Sequence, residues 1–316
     1  MSRDREFKLF AGNSNVALAR LIGEQLDVDL AKAEVGHFSD GEIQVEIGEN
    51  VRGCHTFIVQ STSAPVNDHL MELLIMTDAL RRASASTITA VVPYYGYARQ
   101  DRKVAPRAPI SAKLVANMFS VAGITRVLSM DLHAGQLQGF FDIPTDNLYA
   151  MPVLIDRIRQ IALPEDLVIV SPDAGGVERA RAYSKRLGAT LAIVDKRRER
   201  ANIAEVMNLI GEVKGKTAII LDDMVDTAGT LTQAAKALME NGARRVYAFA
   251  THAVLSGPAV DRLNASPIEK LVVTDTIELS PAARACTKLS QVSCSQTFSE
   301  AIRRIRHGES LSSLFV

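Results

Sequence analysis

The 316 residues predict an α/β protein of two domains, each a mostly parallel sheet flanked by helices, and three observations carry that expectation. Short β-branched and aliphatic runs, such as residues 87–92 and 217–221, have the continuous apolar character of strands buried on both faces. Helical stretches with apolar residues three and four apart lie between them on short connections, the alternation that builds a parallel sheet with helices on both faces. The chain is also long enough for two ordinary cores, and its pattern restarts after Met151-Pro152.

In order, residues 7–11 read as a strand, followed by a helical run through Val16, Leu18, Ala19, Leu21, Ile22 and Leu26. Strand-like segments follow near Leu30, at 43–47 and at 55–60. A helix over 66–83 carries Leu70, Leu73, Leu74, Thr77 and Leu80 on one face; then come a strand at 87–92, a helix at 110–121 and a strand at 125–130. The first domain is expected to span residues 1–149 and the second 150–316. The second reads as helix 153–162, strand 167–171, helix 176–187, strand 190–195, an exposed basic segment, the strand–loop–helix of 217–238, strands 245–253 and 270–274, and a last helix at 299–306. The halves echo each other: Val51-Arg52-Gly53 before His55 to Ser61 matches Val213-Lys214-Gly215 before Thr217 to Asp223 at the same internal spacing. In the first copy Gln60-Ser61 replaces an acid pair, and Pro65 interrupts the loop that follows.

Lys and Arg total 36 against 36 Asp and Glu, so no net charge recommends a nucleic acid or another polyanion. The longest apolar runs are too short to span a bilayer, and MSRDREFK is no signal segment. The three cysteines, Cys54, Cys286 and Cys294, lack metal or redox spacing. A cytoplasmic protein with no membrane partner is expected.

Residues 217–232, TAIILDDMVDTAGTLT, hold the strongest chemical signal. A buried strand runs into Asp222 and Asp223, at the edge where such sheets bind ligands. Asp226, Thr227, Ala228, Gly229 and Thr230 then lead into a helix N-terminus, whose backbone N–H groups suit an anion. Acids before a phosphate cradle fit a sugar phosphate, although strand-end acids and helix-start threonines also serve as ordinary caps. The run resembles the ribose-phosphate motif of type I phosphoribosyltransferase folds. Gly211 to Thr217 is not a Walker loop, because it precedes a strand and has three residues between its glycines. Phe38 to Glu42 is a turn with an aromatic and two carboxylates. Tyr94 to Lys103 follows a strand with aromatics for stacking and cations for phosphate. His133 and Asp173 each follow a strand. One Asp and one His bind Mg2+ only with help from substrate phosphates. Asp195 to Arg200 places four cations in five residues, a concentration of charge that a polyphosphate would neutralise.

Together the segments KLFAGN at 8, FSDGE at 38, NDHLMELL at 67, PYYGYARQDRK at 93, DLHAGQ at 131, SPDAGG at 171, DKRRERAN at 195 and DDMVDTAGT at 222 resemble the ribose-phosphate pyrophosphokinase (PRPP synthetase) family, in its bacterial first class. The resemblance covers nearly the whole chain. It implies two duplicated phosphoribosyltransferase-type domains and the formation of PRPP and AMP from MgATP and ribose 5-phosphate. It makes Lys196 and Arg198 catalytic, and gives ribose 5-phosphate to Asp222, Asp223 and the Asp226, Thr227, Ala228, Gly229, Thr230 loop. ATP falls to Phe38, Asp40, Gly41, Glu42, Arg99 and Gln100, and Mg2+ to His133 and Asp173. It further implies a homohexamer, activation by inorganic phosphate and inhibition by ADP, with Arg52, Arg82, Ser310 and Ser312 as candidate effector residues. The sugar-phosphate loop alone does not separate making PRPP from consuming it. Ala228 stands where many members carry Gly, and its methyl is expected to favour φ below zero there.

Overall fold

A computed structural model describes residues 6–161, 166–197 and 206–314, with the backbone alone at 196, 197, 206 and 207. The chain forms two compact units: Met1–Tyr149 with Thr276–Glu278 and Ser293–Val316, and Ala150–Asp275 with Leu279–Val292.

In the first unit the sequence folds as β1 (Phe7–Ala11), α1 (Val16–Leu26), β2 (Ala33–His37), β3 (Ile43–Ile47), β4 (His55–Val59), α2 (Val66–Arg82), β5 (Thr87–Val92), α3 (Ser111–Ala122), β6 (Arg126–Met130) and β7 (Thr145–Leu148). The sheet runs in the order β1-β4-β5-β6-β7 and is parallel throughout, while β2 and β3 pair antiparallel as a separate hairpin. Asn15 starts α1 by accepting the Leu18 N–H at 3.1 Å, the capping role that short polar side chains perform. The apolar face of α2 buries Leu73, Met76 and Leu80 against Phe10, Ile58 and Phe119.

The second unit comprises α4 (Met151–Arg159), β8 (Leu167–Ser171), α5 (Val177–Leu187), β9 (Thr190–Arg197), β10 (Val206–Ile210), β11 (Thr217–Val225), α6 (Gly229–Glu240), β12 (Arg245–Ala253), α7 (Ala259–Ala265), β13 (Lys270–Thr274), α8 (Pro281–Arg284) and β14 (Leu289–Val292). Its sheet order is β10-β9-β8-β11-β12-β13-β14, parallel except for β10 against β9. After β8 the chain moves out to β9 on one side and returns to β11 on the other. This order reverses between β8 and β11, the kind of crevice where open α/β sheets bind ligands. The first unit's described sheet has no strand beyond β1 and no such reversal.

The echo seen in the sequence has a structural counterpart. Gly53 and Gly215 adopt the left-handed φ values 73° and 74°. Both donate their N–H to the turn that precedes the next strand, at Ser84 and Gly242 respectively. Both lead into the strand before the loop in question, β4 or β11.

The C-terminal segment departs from a single division at 149/150. The last helix, α9 (Ser295–His307), begins four residues before the expected start and packs on α1 in the first unit, just as α4 packs on α5 in the second. Phe298, Ala301 and Ile302 of α9 are buried. Apolar periodicity identifies such a helix but says nothing about which unit receives its face. The expected strand near Leu30 begins at Ala33, and β7, β10, β14, α7 and α8 are short elements whose periodicity was too brief to read.

Candidate active site

The acid pair and the loop after it lie on one uninterrupted element. β11 does not stop at Leu221 but continues through Asp222 and Asp223 to Val225, with Asp222 opposite Ala250 of β12. Asp222 accepts the Asp223 N–H at 2.8 Å. Asp223 is 4% exposed, so its charge needs compensation. Arg179, in the first turn of α5, supplies it: Nη1 lies 3.3 Å from Asp223 Oδ1 and 3.7 Å from Asp222 Oδ1. Burial pushes the Asp222 carboxyl well above the usual carboxylate range. Its neighbour Asp223 pushes the same way, and Arg179 opposes both.

Beyond the strand, the Ser256 hydroxyl donates to the Asp226 carboxylate and the Ser256 N–H to the Asp226 carbonyl at 3.1 Å. Arg262 Nη1 donates to the Thr227 carbonyl at 3.0 Å. Ala228 is the N-cap residue of α6 and contributes no side-chain cap, so the helix's first-turn N–H groups face the loop without one. Thr227 and Thr230 are exposed beside them. Arg179, Ser256 and Arg262 were all missed in the sequence. A cation in the first turn of a helix opposes the macrodipole, and that sign mismatch at Arg179 was the one available signal.

Ala228 corrects one expectation. Its φ is 58°, in the left-handed region, and the residue is 4% exposed. The tight turn from β11 into α6 imposes the conformation despite the methyl. A left-handed φ costs a residue with a Cβ about 1–2 kcal/mol, against which glycine's extra unfolded-state freedom weighs about 0.5–1 kcal/mol. Ala228→Gly is therefore expected to stabilise the fold by about 0.5–1 kcal/mol. A raised urea midpoint with unchanged slope would register it, and a lowered midpoint would contradict the strain.

Asp173 is exposed in the loop after β8, where its Oδ1 accepts the Gly176 N–H at 2.9 Å and its carbonyl the Ser171 hydroxyl at 2.7 Å. With β8 beside β11, Asp173, just after β8, and the acid pair, in the C-terminal half of β11, lie on the two strands that flank the order reversal. Lys196 lies on β9, its backbone paired with Met207, but its side chain is outside the description, and Arg198 lies outside the described residues altogether.

In the first unit, His133 is exposed just after β6. Phe38, Asp40, Gly41 and Glu42 form the tip of the β2–β3 hairpin. Asp40 accepts the Glu42 N–H at 3.1 Å, Gly41 has φ 93°, and Phe38 is 50% exposed. Arg99 and Gln100 are exposed on the loop after β5. Two of the three tyrosines of that loop are not a stacking platform. Tyr94 and Tyr95 are 7% and 3% exposed; Tyr95 packs edge-on against Phe119 and Phe141 and donates to the Ala112 carbonyl at 2.8 Å. Aromatics beside arginines read as a ligand surface, but here the core claimed the rings.

The position equivalent to the acid pair is filled from within. Gln60 Nε2 donates to Glu72 at 2.5 Å and to the His69 carbonyl at 3.1 Å, while its Oε1 accepts the Ser14 N–H at 3.1 Å. Glu72, 1% exposed, also accepts the Asn13 N–H and side-chain amide. All three cysteines are buried, and none is in a disulfide. Among the described residues no group of three or more His, Cys, Asp or Glu forms a metal cluster, and no helix is long and apolar enough to cross a membrane.

Residues 7–123 match the family model described as the N-terminal domain of ribose phosphate pyrophosphokinase, and residues 200–316 match the phosphoribosyl synthetase-associated domain. The chain is 58% identical to a ribose-phosphate pyrophosphokinase of Burkholderia pseudomallei over 316 residues, covering 100% of this chain and 99% of that protein. The chain belongs to the ribose-phosphate pyrophosphokinase family. A ribose-phosphate pyrophosphokinase 1 of Listeria monocytogenes is 57% identical over 312 residues, 99% of this chain and 98% of its own length. The crystal structure of phosphoribosylpyrophosphate synthetase from Mycobacterium smegmatis superposes with a TM-score of 0.91 at 42% identity, covering 96% of this chain and 100% of that one. The pyrophosphokinase fold therefore extends over both units.

Proposed function

We propose that this chain transfers the β,γ-diphosphoryl group of MgATP to the 1-hydroxyl of ribose 5-phosphate, giving PRPP and AMP in the cytoplasm. The observation that carries the reading is the single element β11–loop–α6, which presents two carboxylates and an uncapped helix N-terminus at the sheet's order reversal. Asp222 and Asp223 accept from the ribose 2- and 3-hydroxyls. Asp226, Thr227, Ala228, Gly229 and Thr230 take the 5-phosphate, with N–H groups pointing at the anion.

The ribose O1 attacks Pβ as the bond from Pβ to the bridging oxygen of AMP breaks in line, and the hydroxyl proton leaves to solvent. Catalysis of this kind is positioning and charge stabilisation, with no covalent enzyme nucleophile. Lys196 and Arg198 supply the charge around Pβ. Mg2+ would neutralise the phosphate oxygens, and the residues proposed to hold it are Asp173 and His133. Asp173 fits: it is a hard oxygen donor, exposed, with only Oδ1 engaged by Gly176, and a single carboxylate suits a metal held largely by substrate phosphates.

Phe38, Asp40, Gly41, Glu42, Arg99 and Gln100 form the nucleotide half of the site, contributed by a neighbouring subunit of a homohexamer. The chain is a duplication in which only the second copy takes ribose 5-phosphate, a reading supported by the internal hydrogen bonds at Gln60. Inorganic phosphate and ADP act as effectors through Arg52, Arg82, Ser310 and Ser312. At present Arg52 donates to Ser84, Arg82 pairs with Asp78, and Ser310 donates to Ser312.

The test is an initial-rate assay of AMP formation with and without ribose 5-phosphate across phosphate concentrations. AMP formation that depends on the sugar phosphate supports the reading; its absence, with PRPP consumed when supplied, would assign the site to a PRPP-using transferase.

A further inference from the structure

The echo can be followed one residue past the acid pair: Ser61 carries a hydroxyl where the second copy has the Asp223 carboxylate, and Thr62 stands at the place of Met224. Thr62, 1% exposed, makes three contacts with the loop after β5. Its N–H donates to the Tyr94 carbonyl at 2.9 Å, its hydroxyl accepts the Gly96 N–H at 2.6 Å, and that hydroxyl donates to the Tyr94 carbonyl at 3.3 Å. Ser61, fully buried, accepts the Tyr94 N–H at 3.2 Å and donates to the Thr276 carbonyl at 2.6 Å. The two backbones approach so closely that a Cβ on Gly96 would stand 2.3 Å from the Thr62 carbonyl oxygen. Downstream the loop turns through Tyr97 at φ 62°, and the Gln100 N–H closes it on the Tyr97 carbonyl at 3.0 Å. Arg99 and Gln100 therefore project from a turn whose base is set by two buried hydroxyls.

We infer that Thr62, supported by Ser61, is a positioning residue for the nucleotide: it sets the backbone from which Arg99 and Gln100 meet ATP. At these positions in the second unit, β11 carries Asp223, proposed for the sugar, and the buried Met224. In the first they hold a loop, so the degenerate copy is put to use for the other substrate. The physical basis is that a threonine hydroxyl both accepts and donates, and can satisfy a buried N–H and a buried carbonyl at once. A valine of nearly the same shape can do neither, and leaves Gly96 with an unpaired donor.

The inference rests on the assignment of Arg99 to ATP, so the experiment measures both. Initial rates are determined with ATP and ribose 5-phosphate each varied, for wild type, Thr62→Val, Thr62→Ser and Arg99→Ala, alongside thermal midpoints. Thr62→Val is expected to raise KM for ATP roughly tenfold, the equivalent of one lost buried hydrogen bond, and to leave KM for ribose 5-phosphate within about twofold. Thr62→Ser, which restores the hydroxyl, is expected to return KM for ATP to near the wild-type value. Should Thr62→Val fail to fold, Thr62→Ala leaves room for water at the Gly96 N–H and is expected to show the same selective rise. An ATP KM unmoved in the Thr62 variants while Arg99→Ala raises it overturns the inference alone. So does an equal rise in both KM values, or a rise that serine does not reverse. An ATP KM unmoved in Arg99→Ala overturns it together with the assignment of Arg99.

Discussion

Lys196→Ala is expected to lower kcat by roughly 10²-fold or more, with a much smaller change in KM for ribose 5-phosphate. The magnitude is that of removing one preorganised donor from a transition state, about 2.7–4 kcal/mol. Position supports the choice of residue. β9 is hydrogen-bonded to β8, and β8 to β11, so the end of β9 lies one strand from β8, which leads into the Asp173 loop, and two from β11, which carries the acid pair. The backbone of Lys196 is still within the β9–β10 pairing, opposite Met207. The role proposed for Lys196 is to meet the diphosphoryl group as charge shifts during its transfer. That role gives it no reason to touch the 5-phosphate, which is proposed to sit at the start of α6. Steady-state kinetics with each substrate varied separate the two possibilities. A kcat within a few-fold of wild type would remove Lys196 from the catalytic role, and a loss confined to the ribose 5-phosphate KM would make it a binding cation.

The second large effect concerns pH and the acid pair. Burial and the adjacent Asp223 raise the Asp222 carboxyl, with Arg179 opposing, so the folded-state pKa lies above the unfolded value. The native state then binds this proton more tightly than the unfolded chain does. Its contribution to stability is present below the unfolded pKa and is lost as pH rises through the folded one. Sugar binding has the opposite sign, because a hydroxyl needs an ionised acceptor. KM for ribose 5-phosphate should therefore climb as pH falls, starting above the ordinary carboxylate range. In Arg179→Gln that limb should move to higher pH, since the one group lowering the Asp222 pKa has lost its charge. Asp222→Asn should raise KM for ribose 5-phosphate by roughly 10²-fold, on the scale of a lost charge-assisted hydrogen bond, and abolish the limb. A KM profile that is flat down to the usual carboxylate range, or unchanged in Arg179→Gln, would separate the acid pair from sugar binding. Stability and affinity pulling in opposite directions at one carboxylate is how a binding site differs from a structural ion pair.

Much of this was legible before any coordinates. Apolar runs of strand length alternating with amphipathic periods dictate a parallel sheet covered by helices, because those two periods are direct consequences of backbone geometry. The order of apolar strand, Asp222-Asp223, small-residue loop and helix is local in the chain, and so was the inference of an anion cradle. The echo between the halves was visible because Gly53 and Gly215 each face the same steric demand of a left-handed turn. What neighbours in space decide could not be read. Arg179 reaches the acid pair from a different helix 43 residues before Asp222 in the chain, and no local pattern announces it. Tyr95 looks like a recognition residue until the core around Phe119 and Phe141 is assembled over it. Ala228 takes a positive φ because the fold around it over-determines the turn, against its own preference. α9 is a helix by its own period but belongs to the first unit by where its buried face finds apolar surface. Sequence by itself determined the elements, the strand-end chemistry and the family resemblance, since each depends on residues close together in the chain. The tertiary structure alone decided which groups share charge, which rings are buried and which backbone is strained, since those depend on residues that only the folded chain brings into contact.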